Sequence, residues 1–461
     1  MIDLNLDALA QVVGGVVPAD VPTRVDAIAT DSRQVPHGAP LFIALKTETA
    51  DGHQFVNAAA NAGAVAALVS EPTSATIPTV QVDDTWQALR LLAGHVRQVV
   101  APASVAITGS LGKTTVKDLT TAAVGASRRV HAATGSFNNE LGVPLTLLGL
   151  EPNDDVLIAE IGARHEGDIA ALAPIVAPDV AVVTAVAPVH LEVFGSLAAV
   201  GRAKSELVAA LGPNGTAILN ADDATVAAMA QLAPQSLTVG LDTDADVRAT
   251  DIRLDVWARP RATAVTPWGT TELSVAVAGR HHLRNGLLAL AVAGHLGVDI
   301  DAAAAAIGDA TVSRWRGELV ELDGVLVLDD AYNANPTAMR AALETLTAID
   351  RPGQTYAVLG EMGEIGPTSR ADHRNIGAAV TEADIDHLVT VGPNAQAIAE
   401  GAQATGHASV TEVADGEAAA RLLAGKLEPG DVVLVKASRV AGLETVMQQL
   451  RTVASSRKAR R

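Results

Sequence analysis

Short apolar runs alternate with longer amphipathic stretches along most of the chain. The short runs, bounded by turn-forming residues, predict buried strands, and stretches with apolar positions three or four apart predict helices. Regular alternation of strand and helix is typical of mainly parallel sheets covered by helices, so the pattern predicts an α/β fold. The predicted strands span residues 39–45, 64–70, 79–82, 105–108, 156–161, 180–184, 216–220, 325–328, 355–359, 387–391 and 432–435.

The alternation falls into three segments, which predict three domains. A chain of 461 residues is too long for one hydrophobic core and suggests roughly three domains of ~150 residues. We assign residues 1–85 to an N-terminal α/β domain, 100–312 to a central domain with a mainly parallel sheet, and 315–461 to a C-terminal Rossmann-like domain. Residues 244–278 look like a β-ribbon insertion. The predicted helices span residues 54–62, 85–100, 285–296, 301–307 and, after Pro336, 337–348.

The amino-acid composition excludes several classes of function. With 33 Lys and Arg against 52 Asp and Glu, the formal charge is -19, and such a surface repels nucleic-acid phosphate and anionic lipid. The absence of cysteine excludes disulfides and thiolate chemistry. The first residues lack the pattern of a signal peptide and no long uncharged apolar run occurs, so we expect a cytoplasmic protein without membrane insertion. We expect the basic tail, residues 455–461, to be frayed.

Residues 104–117 combine an apolar strand, a glycine-bearing turn and the start of a helix. Backbone N–H groups at such a turn point at anionic oxygens. In this arrangement Lys113 can reach the β- and γ-phosphates, and the Thr114 hydroxyl can ligate Mg²⁺. The common pattern places a glycine where this chain has Ile107, and Gly109 turns the chain instead. We therefore predict an ATP site here, against the alternative of a glycine-rich turn with an incidental lysine.

Three further residues follow predicted strands of the central domain or lie on its helices. Glu160 ends the strand at 156–161, where a carboxylate can ligate Mg²⁺ opposite Thr114. His190 and Lys204 follow later. Each is weak evidence alone, since a lone His is more often a packed residue and a helical Lys more often faces solvent. Together with the loop they form a candidate two-metal site, for which Lys204 would need modification because an ammonium cannot ligate a cation.

The C-terminal segment contributes charged candidates of its own. Asp329 and Asp330 follow an apolar strand, but their distance from the phosphate loop makes a simple Mg²⁺-binding acid of the NTPase type a poor interpretation. Arg316 could reach a γ-phosphate across a cleft. A surface salt bridge is about as good an explanation of Arg316 from spacing alone.

The motifs together resemble those of the Mur ligase family, in its D-alanyl-D-alanine-adding (MurF) type, over essentially the whole chain. The loop Thr-Gly-Ser-Leu-Gly-Lys-Thr-Thr at 108–115 is the family's own form, which accounts for Ile107. The segment Asp-Asp-Ala-Tyr-Asn-Ala-Asn-Pro at 329–336 is the most discriminating, because diaminopimelate-adding relatives differ there. The other similar segments are residues 30–33, 42–46, 51–53, 134–144, 160–168, 190–196, 203–206, 279–285 and 436–439.

The resemblance implies a role for each matched residue. It implies an N-terminal UDP-sugar-binding domain, a central P-loop ATPase-like domain and a C-terminal Rossmann-like domain. ATP phosphates would be held by residues of the loop, namely Gly109, Ser110, Leu111, Gly112, Lys113, Thr114 and Thr115. Asn285 would contact adenine and Arg316 would reach the γ-phosphate, while Asp330 would reach the nucleotide from the C-terminal domain. Two Mg²⁺ ions would be bound by Thr114, Glu160, His190 and a carbamylated Lys204, and the substrates by Asp31, Ser32, Arg33, Lys46, Asn138 and Asn139.

The resemblance also implies the reaction. The implied reaction is an ATP-dependent ligation of D-alanyl-D-alanine to UDP-N-acetylmuramoyl-tripeptide through an acyl phosphate, in peptidoglycan synthesis. Because Arg316 and Asp330 lie on the third segment and the phosphate loop on the second, we expect ATP to bind between these domains and closure of the C-terminal domain to assemble the site. By default we expect a monomer. His282, Ala437 and Thr47 depart from the family pattern, and none removes a proposed catalytic group. The alternatives are another amide ligase, of the diaminopimelate- or lysine-adding type or a folylpolyglutamate synthetase, and a non-enzymatic nucleotide-binding regulator.

Overall fold

The computed structural model describes residues 1–17 and 23–458, with side chains through Thr452, as three α/β domains. Each domain is built on its own mainly parallel sheet, which confirms the predicted fold class. None of the helices in the described part of the chain combines the length and apolar character needed to span a bilayer.

The N-terminal domain contains a four-stranded parallel sheet in the order β3-β4-β5-β6 and a small antiparallel pair, β1-β2. The last helix, α3, begins where the Asp84 carboxylate accepts from the amides of Trp86 and Gln87 at 2.7 and 3.1 Å, a typical N-cap. The elements are β1 (Leu4–Asn5), α1 (Leu6–Val13), β2 (Arg24–Val25), β3 (Ala27–Ala29), β4 (Pro40–Ile43), α2 (Val56–Asn61), β5 (Ala66–Val69), β6 (Thr79–Gln81) and α3 (Thr85–Val100).

The central domain is organised around a nine-stranded sheet in the order β15-β14-β13-β12-β11-β10-β7-β9-β8. Its elements are β7 (Ala103–Thr108), α4 (Lys113–Gly125), β8 (Val130–Ala132), α5 (Gly142–Leu148), β9 (Val156–Glu160), α6 (Asp168–Val176), β10 (Val180–Val183), α7 (Leu191–Phe194), α8 (Leu197–Ala209), β11 (Thr216–Asn220), α9 (Ala224–Ala227), β12 (Gln235–Gly240), β13 (Val247–Leu254), β14 (Pro260–Thr266), β15 (Gly269–Ser274), α10 (His281–His295) and α11 (Ile300–Gly308).

The predicted β-ribbon at 244–278 is corrected by this sheet. Strands β13, β14 and β15 are antiparallel, as in a ribbon, but they are not a separate insertion. Val239 and Gly240 of β12 pair in parallel with Val247 and Arg248 of β13. The ribbon therefore continues the main sheet, because its first strand takes the open edge of β12.

Helix α10 is the centre of this domain. Twelve of its residues are buried, and it packs against α4, the helix that follows the phosphate loop. A helix that is apolar on nearly all sides belongs in a core. Strand β7 is equally enclosed, with Val105, Ala106 and Ile107 fully buried, so the phosphate loop is held between a buried strand and a buried helix pair.

The C-terminal domain has a six-stranded sheet in the order β16-β17-β21-β18-β19-β20, parallel except for the edge pair β16-β17. Helix α16 continues as far as Lys458, so the expectation of a frayed tail is wrong for residues 455–458, and residues 459–461 lie outside the described ones. The elements are β16 (Glu318–Leu322), β17 (Val325–Asp329), α12 (Pro336–Ala348), β18 (Thr355–Leu359), α13 (Ser369–Glu382), β19 (His387–Val391), α14 (Gln396–Ala404), β20 (Val410–Val413), α15 (Gly416–Lys426), β21 (Val432–Lys436) and α16 (Glu444–Lys458).

Candidate active site

A cavity of about 990 Å³ lies where the central and C-terminal domains meet. The carboxyl ends of β7, β9 and β10 open into it, which is where ligands bind on parallel sheets. The cavity gathers most of the residues that the sequence singles out. They are Gly109, Ser110, Leu111, Gly112, Lys113, Thr114, Thr115, Asn138, Asn139, Glu160, His190, Lys204, Asn285, Arg316 and Asp330.

The phosphate loop turns sharply between β7 and α4. Gly109 and Gly112 have φ values of 145° and 76°, a region that favours glycine. A Cβ on Gly109 would clash with the Thr184 hydroxyl, and one on Gly112 would lie 2.8 Å from Asn285 Oδ1. Both positions therefore require glycine for conformation and for space.

Lys113, the first residue of α4, has no carboxylate partner in the loop. Its ammonium donates to the Gly109 carbonyl at 2.7 Å. Burial lowers the pKa of Lys113, and the nearby Arg316 charge lowers it further, while Glu160 opposes the shift. A buried, concentrated positive charge is suited to an anionic ligand such as a triphosphate.

The amide of Ser110 is already engaged. It donates to the Ala185 carbonyl at 2.7 Å, and the Ser110 hydroxyl donates to the Ala187 carbonyl at 3.1 Å. These bonds fix the loop to the segment after β10, whereas the resemblance implies that this amide binds phosphate.

Thr114 and Glu160 form the candidate cation site. The Thr114 hydroxyl donates to Glu160 Oε2 at 2.8 Å, and the Asn138 amide donates to Glu160 Oε1 at 2.6 Å. Hydroxyl and carboxylate oxygens are hard donors that suit Mg²⁺. The described residues contain no cluster of three or more His, Asp or Glu side chains arranged for a metal ion, so phosphate and water would have to complete the coordination, as Mg²⁺ usually requires.

His190 also lines the cavity, and a residue of the C-terminal domain fixes its ring. Its Nδ1 is hydrogen-bonded to the Glu364 carboxylate, which also accepts from Arg164 at 3.2 Å. Burial lowers the pKa of His190, although Glu364 opposes the shift. A neutral imidazole whose second nitrogen is fixed by a carboxylate is the form that ligates metals.

Lys204 on α8 is almost fully buried, with 2% of its surface exposed. Burial, followed by the charge of Lys113, lowers the pKa of Lys204 to about 7. The prediction that a helical lysine would more often face solvent does not hold here. Near neutral pH a substantial fraction of its amine is unprotonated and therefore nucleophilic.

Arg316 and Asp330 reach the cavity from the C-terminal side. The Arg316 guanidinium lies 3.9 Å from the centre of the Tyr332 ring, and the Tyr332 hydroxyl bonds Ser136 of the central domain. Asp330 accepts from the buried Lys436 ammonium at 2.6 Å. Arg316 is thus part of a contact across the two domains, which decides against a simple surface salt bridge.

Asn285 lies on α10 beside the phosphate loop. Its amide is 3.1 Å from His282 Nδ1, and the His281 and His282 rings are 4.1 Å apart. Burial lowers the pKa of His281 to about 4 and that of His282 well below its usual range. Both rings are neutral at physiological pH, so this wall of the cavity offers uncharged nitrogen atoms.

The four N-terminal candidates lie away from this cavity. Arg33 and Asp31 form an ion pair at 2.7 Å, Lys46 pairs with Glu71 at 2.9 Å, and Ser32 lies between the first two. None of them lines the cavity described above. Their role in binding a substrate stays a prediction.

Several charged and polar residues of the cavity wall were not among the candidate site residues predicted from the sequence. Eight of them lie in segments quoted for the resemblance, at 160–168, 279–285, 329–336 and 436–439, which assigned them no role. Arg90 and Glu364 lie outside those segments and were missed, because a lone charged residue leaves no signal in the spacing. The full set is Arg90, Arg164, His165, Asp168, His281, Tyr332, Asn333, Glu364, Lys436 and Arg439.

This fold and site define a class: a three-domain nucleotide-dependent enzyme whose phosphate loop faces charged groups of a second α/β domain. Family models match the chain as "Mur ligase family, catalytic domain" over residues 24–100, "Mur ligase middle domain" over 107–293 and "Mur ligase, glutamate ligase domain" over 315–439.

Named relatives and solved structures agree with those models. The UDP-N-acetylmuramoyl-tripeptide–D-alanyl-D-alanine ligase of Mycobacterium tuberculosis H37Rv is 39% identical over 98% of each chain. A MurF crystal structure from Acinetobacter baumannii superposes with a TM-score of 0.89 at 32% identity, covering 98% of this chain and 99% of the other. MurF of Thermotoga maritima in complex with ADP gives 0.84 at 27% identity, covering 94% and 99%. The chain belongs to the Mur ligase family, and the relatives and solved structures named above are of the MurF type.

Proposed function

We propose that the protein is an ATP-dependent ligase that joins D-alanyl-D-alanine to UDP-N-acetylmuramoyl-tripeptide, giving the nucleotide-linked pentapeptide of peptidoglycan synthesis. The observation that carries this proposal is the single cavity that brings the phosphate loop, Glu160, His190 and Lys204 together with Arg316 and Asp330 of the C-terminal domain. The names of the relatives supply the substrates.

The reaction needs activation because a carboxylate is a poor electrophile toward an amine. Transfer of the γ-phosphoryl group from ATP gives an acyl phosphate and ADP, the dipeptide amine attacks the acyl carbon, and phosphate leaves. Two anions, the carboxylate and the triphosphate, must approach each other before this transfer. Lys113 and Arg316 supply fixed positive charge there, and such preorganised charge stabilises the charge that develops in the transition state.

Thr114 and Glu160 are the residues suited to hold one Mg²⁺, and His190 with a modified Lys204 those suited to a second. Bound Mg²⁺ would neutralise phosphate charge. Asn138 keeps Glu160 oriented through its 2.6 Å hydrogen bond, and Glu364 keeps the His190 ring oriented. Such supporting contacts usually matter nearly as much as the ligands themselves.

Lys204 is suited to carbamylation. Carbon dioxide reacts with a neutral amine, and burial lowers the pKa of Lys204 to about 7, so the reactive form is available at neutral pH. The carbamate would carry a negative charge close to Lys113, whose positive charge now disfavours the ammonium form. Of the two features that destabilise the ammonium, burial also disfavours an anion, so it is the positive charge of Lys113 that favours a carbamate at this position.

The uridine diphosphate end of the substrate is proposed to bind at Asp31, Ser32, Arg33 and Lys46 in the N-terminal domain. The peptide would then extend into the cavity past Asn138 and Asn139, where Arg90 of α3 lines the wall. Arg90 reaches the cavity from the last helix of the N-terminal domain, and its cationic side chain is suited to the carboxylates of a peptide.

Phosphate release from ATP tests the proposal directly. Full-length protein with Mg²⁺, UDP-N-acetylmuramoyl-tripeptide and D-alanyl-D-alanine should release phosphate, and omission of any one component should reduce release to background. Glycine, D-alanine, meso-diaminopimelate and lysine serve as competing amines. Release without a dipeptide requirement would contradict the proposal, and faster release with diaminopimelate or lysine would assign the chain to the other amide ligases.

We further propose that the enzyme is a cytoplasmic monomer, since its nucleotide-linked and nucleotide substrates are soluble. Light scattering after size-exclusion chromatography should give a mass near 47.0 kDa. A mass of about twice that value at micromolar concentration would overturn the monomer.

A further inference from the structure

Two neighbouring residues of α4, Lys117 and Asp118, contact segments that complete the active site. Lys117 is 3% exposed. Its ammonium lies 2.7 Å from the Ala133 carbonyl, 2.8 Å from the Gly135 carbonyl and 2.8 Å from Asp118 Oδ1. An ammonium has three protons, and each finds an acceptor here, so the burial of this charge is fully compensated.

Asp118 uses its second oxygen on a different segment. Asp118 Oδ2 accepts from the backbone amide and from the hydroxyl of Ser313, each at 2.8 Å. Ser313 lies between α11 and β16, in the strand-free stretch that connects the central and C-terminal domains. Because adjacent residues of a helix point in different directions, α4 can hold one segment through Lys117 and another through Asp118.

Both segments carry residues of the candidate active site. The loop fastened by Lys117 continues to Ser136, which bonds Tyr332 of the C-terminal domain, and to Asn138, which orients Glu160. The stretch fastened by Asp118 continues within three residues to Arg316, whose guanidinium stacks on Tyr332. The segment that bonds Lys117 and the segment that bonds Asp118 therefore both contact Tyr332, through Ser136 and Arg316 respectively.

We propose that Lys117 and Asp118 are positioning residues that couple occupation of the phosphate loop to the placement of Arg316 and Asn138. Helix α4 begins at Lys113, so a nucleotide that fixes the loop also fixes the helix start. Through Asp118 and Ser313 the helix fixes the connection into the C-terminal domain, and through Lys117 it fixes the loop on the cation side. This inference rests on the proposed ligase function for its kinetic readout.

The test compares Asp118→Ala, Ser313→Ala and the double variant in the full-length protein. Thr121→Ala is the matched control, because Thr121 lies on the same helix and, within the described part of the chain, its hydroxyl bonds only the Lys117 carbonyl of that helix. The affinity for ADP is measured by calorimetry, and kcat by dipeptide-dependent phosphate release at saturating substrates. Thermal unfolding and circular dichroism verify that each variant is folded.

We expect Asp118→Ala to lower kcat by about tenfold or more, the usual effect of losing hydrogen bonds to a charged group, while the Kd for ADP changes by less than about threefold. Ser313→Ala should lower kcat less, because its backbone amide still reaches Asp118. In the Asp118→Ala background, Ser313→Ala should have no further effect, since the hydroxyl acts through that carboxylate. Thr121→Ala should match the wild type.

Two results would overturn the coupling. One is an ADP affinity that falls as much as kcat, which would make Asp118 a support of the phosphate loop alone. The other is independent effects of the two substitutions on kcat. If Asp118→Ala does not fold, the kinetic comparison is replaced by small-angle scattering of Ser313→Ala with a non-hydrolysable ATP analogue. A decrease in the radius of gyration of Ser313→Ala equal to that of the wild type would overturn the coupling. A wild type that releases no phosphate refutes the proposed function instead, and the scattering comparison then still decides the coupling.

Discussion

At the level of single residues, burial moves two pKa values to the same range from opposite sides. It lowers the pKa of Lys204 to about 7 and raises that of Asp329 to about 7. In both cases the low-polarity surroundings disfavour the charged form. The consequence differs: Lys204 faces the cavity and becomes reactive, whereas Asp329 ends β17 inside the C-terminal domain and affects stability.

Replacing Lys204 should abolish turnover and leave the fold intact. We expect Lys204→Ala to lower kcat at least about 100-fold, in keeping with the loss of a group that supports a metal. Added short carboxylic acids should restore part of the activity, because they can occupy the space of the carbamate. Arg202→Ala, on the exposed face of the same helix, is the control and should remain active. A folded Lys204→Ala variant without any rescue would leave the carbamate unsupported.

Asp329 makes the stability of the protein depend on pH. Between about pH 4 and pH 7 the folded protein keeps a proton on Asp329 that the unfolded chain has released, so the free energy of unfolding falls as the pH rises through this window. Asp329→Asn removes that dependence. Urea unfolding should show the variant to be more stable by about 1–2 kcal/mol at pH 8, with a gain that shrinks toward pH 5. A gain that is equal at both pH values would contradict this assignment, and the exposed Asp301→Asn should show no gain at either.

At the level of elements, the turn between β7 and α4 depends on glycine. Gly109→Ala places a Cβ against the Thr184 hydroxyl and within 3.1–3.2 Å of the Ala185 backbone, at a φ of 145°. We expect the ADP affinity to fall at least about tenfold and the protein to lose about 2 kcal/mol or more of stability. Gly125→Ala is the matched control, since nothing lies within 4 Å of its Cβ at the end of the same helix. Calorimetry and thermal unfolding measure both effects, and unchanged ADP binding by Gly109→Ala would refute them.

Most interior strands could be predicted from the sequence, although interior β12 was missed, whereas most edge strands were missed, although edge strand β6 was predicted. The predictions for 216–220, 355–359 and 387–391 are confirmed without change as β11, β18 and β19, because interior strands are continuous apolar runs. Strands β16 and β20 were missed, since each lies at a sheet edge and carries an exposed glutamate, Glu321 or Glu412. The pairing of β13 with β12 was also missed, because it involves two residues of each strand and such a short backbone pairing does not change the pattern of apolar and polar side chains.

The site residues that lie in recognisable motifs could be predicted from the sequence. Lys113, Thr114 and Glu160 were predicted from the residues, and the structure brings them together. Lys204 and Arg316 needed the family resemblance for a definite role, because spacing alone favours solvent exposure for Lys204 and leaves a surface salt bridge about as good an explanation for Arg316. Glu364 and Arg90 were missed altogether: each is a single charged residue far along the chain from its neighbours in the cavity, and only the docking of the domains shows its place.

At the level of the whole molecule, the central and C-terminal domains touch across the cavity through polar groups. Arg164 and Glu364, which form one of these contacts, are 67% and 41% exposed. Exposed ion pairs contribute only about 0–1 kcal/mol. Such contacts add little to the association of the two domains, so we expect bound ligands to favour a closed cavity.

Closure should therefore be visible in solution. Small-angle X-ray scattering of the wild type without ligands should give a larger radius of gyration than with a non-hydrolysable ATP analogue, Mg²⁺ and UDP-N-acetylmuramoyl-tripeptide, with a decrease of about 1 Å on closure. Glu364→Ala should remain more expanded in the presence of the ligands, because it loses the contacts to His190 and Arg164. Glu417→Ala, which removes an exposed carboxylate that pairs with Arg421 of the same helix, should behave as the wild type. An unchanged radius of gyration in the wild type would count against closure, and a Glu364→Ala variant that compacts fully would assign the closing contact to the Ser136–Tyr332 bond instead.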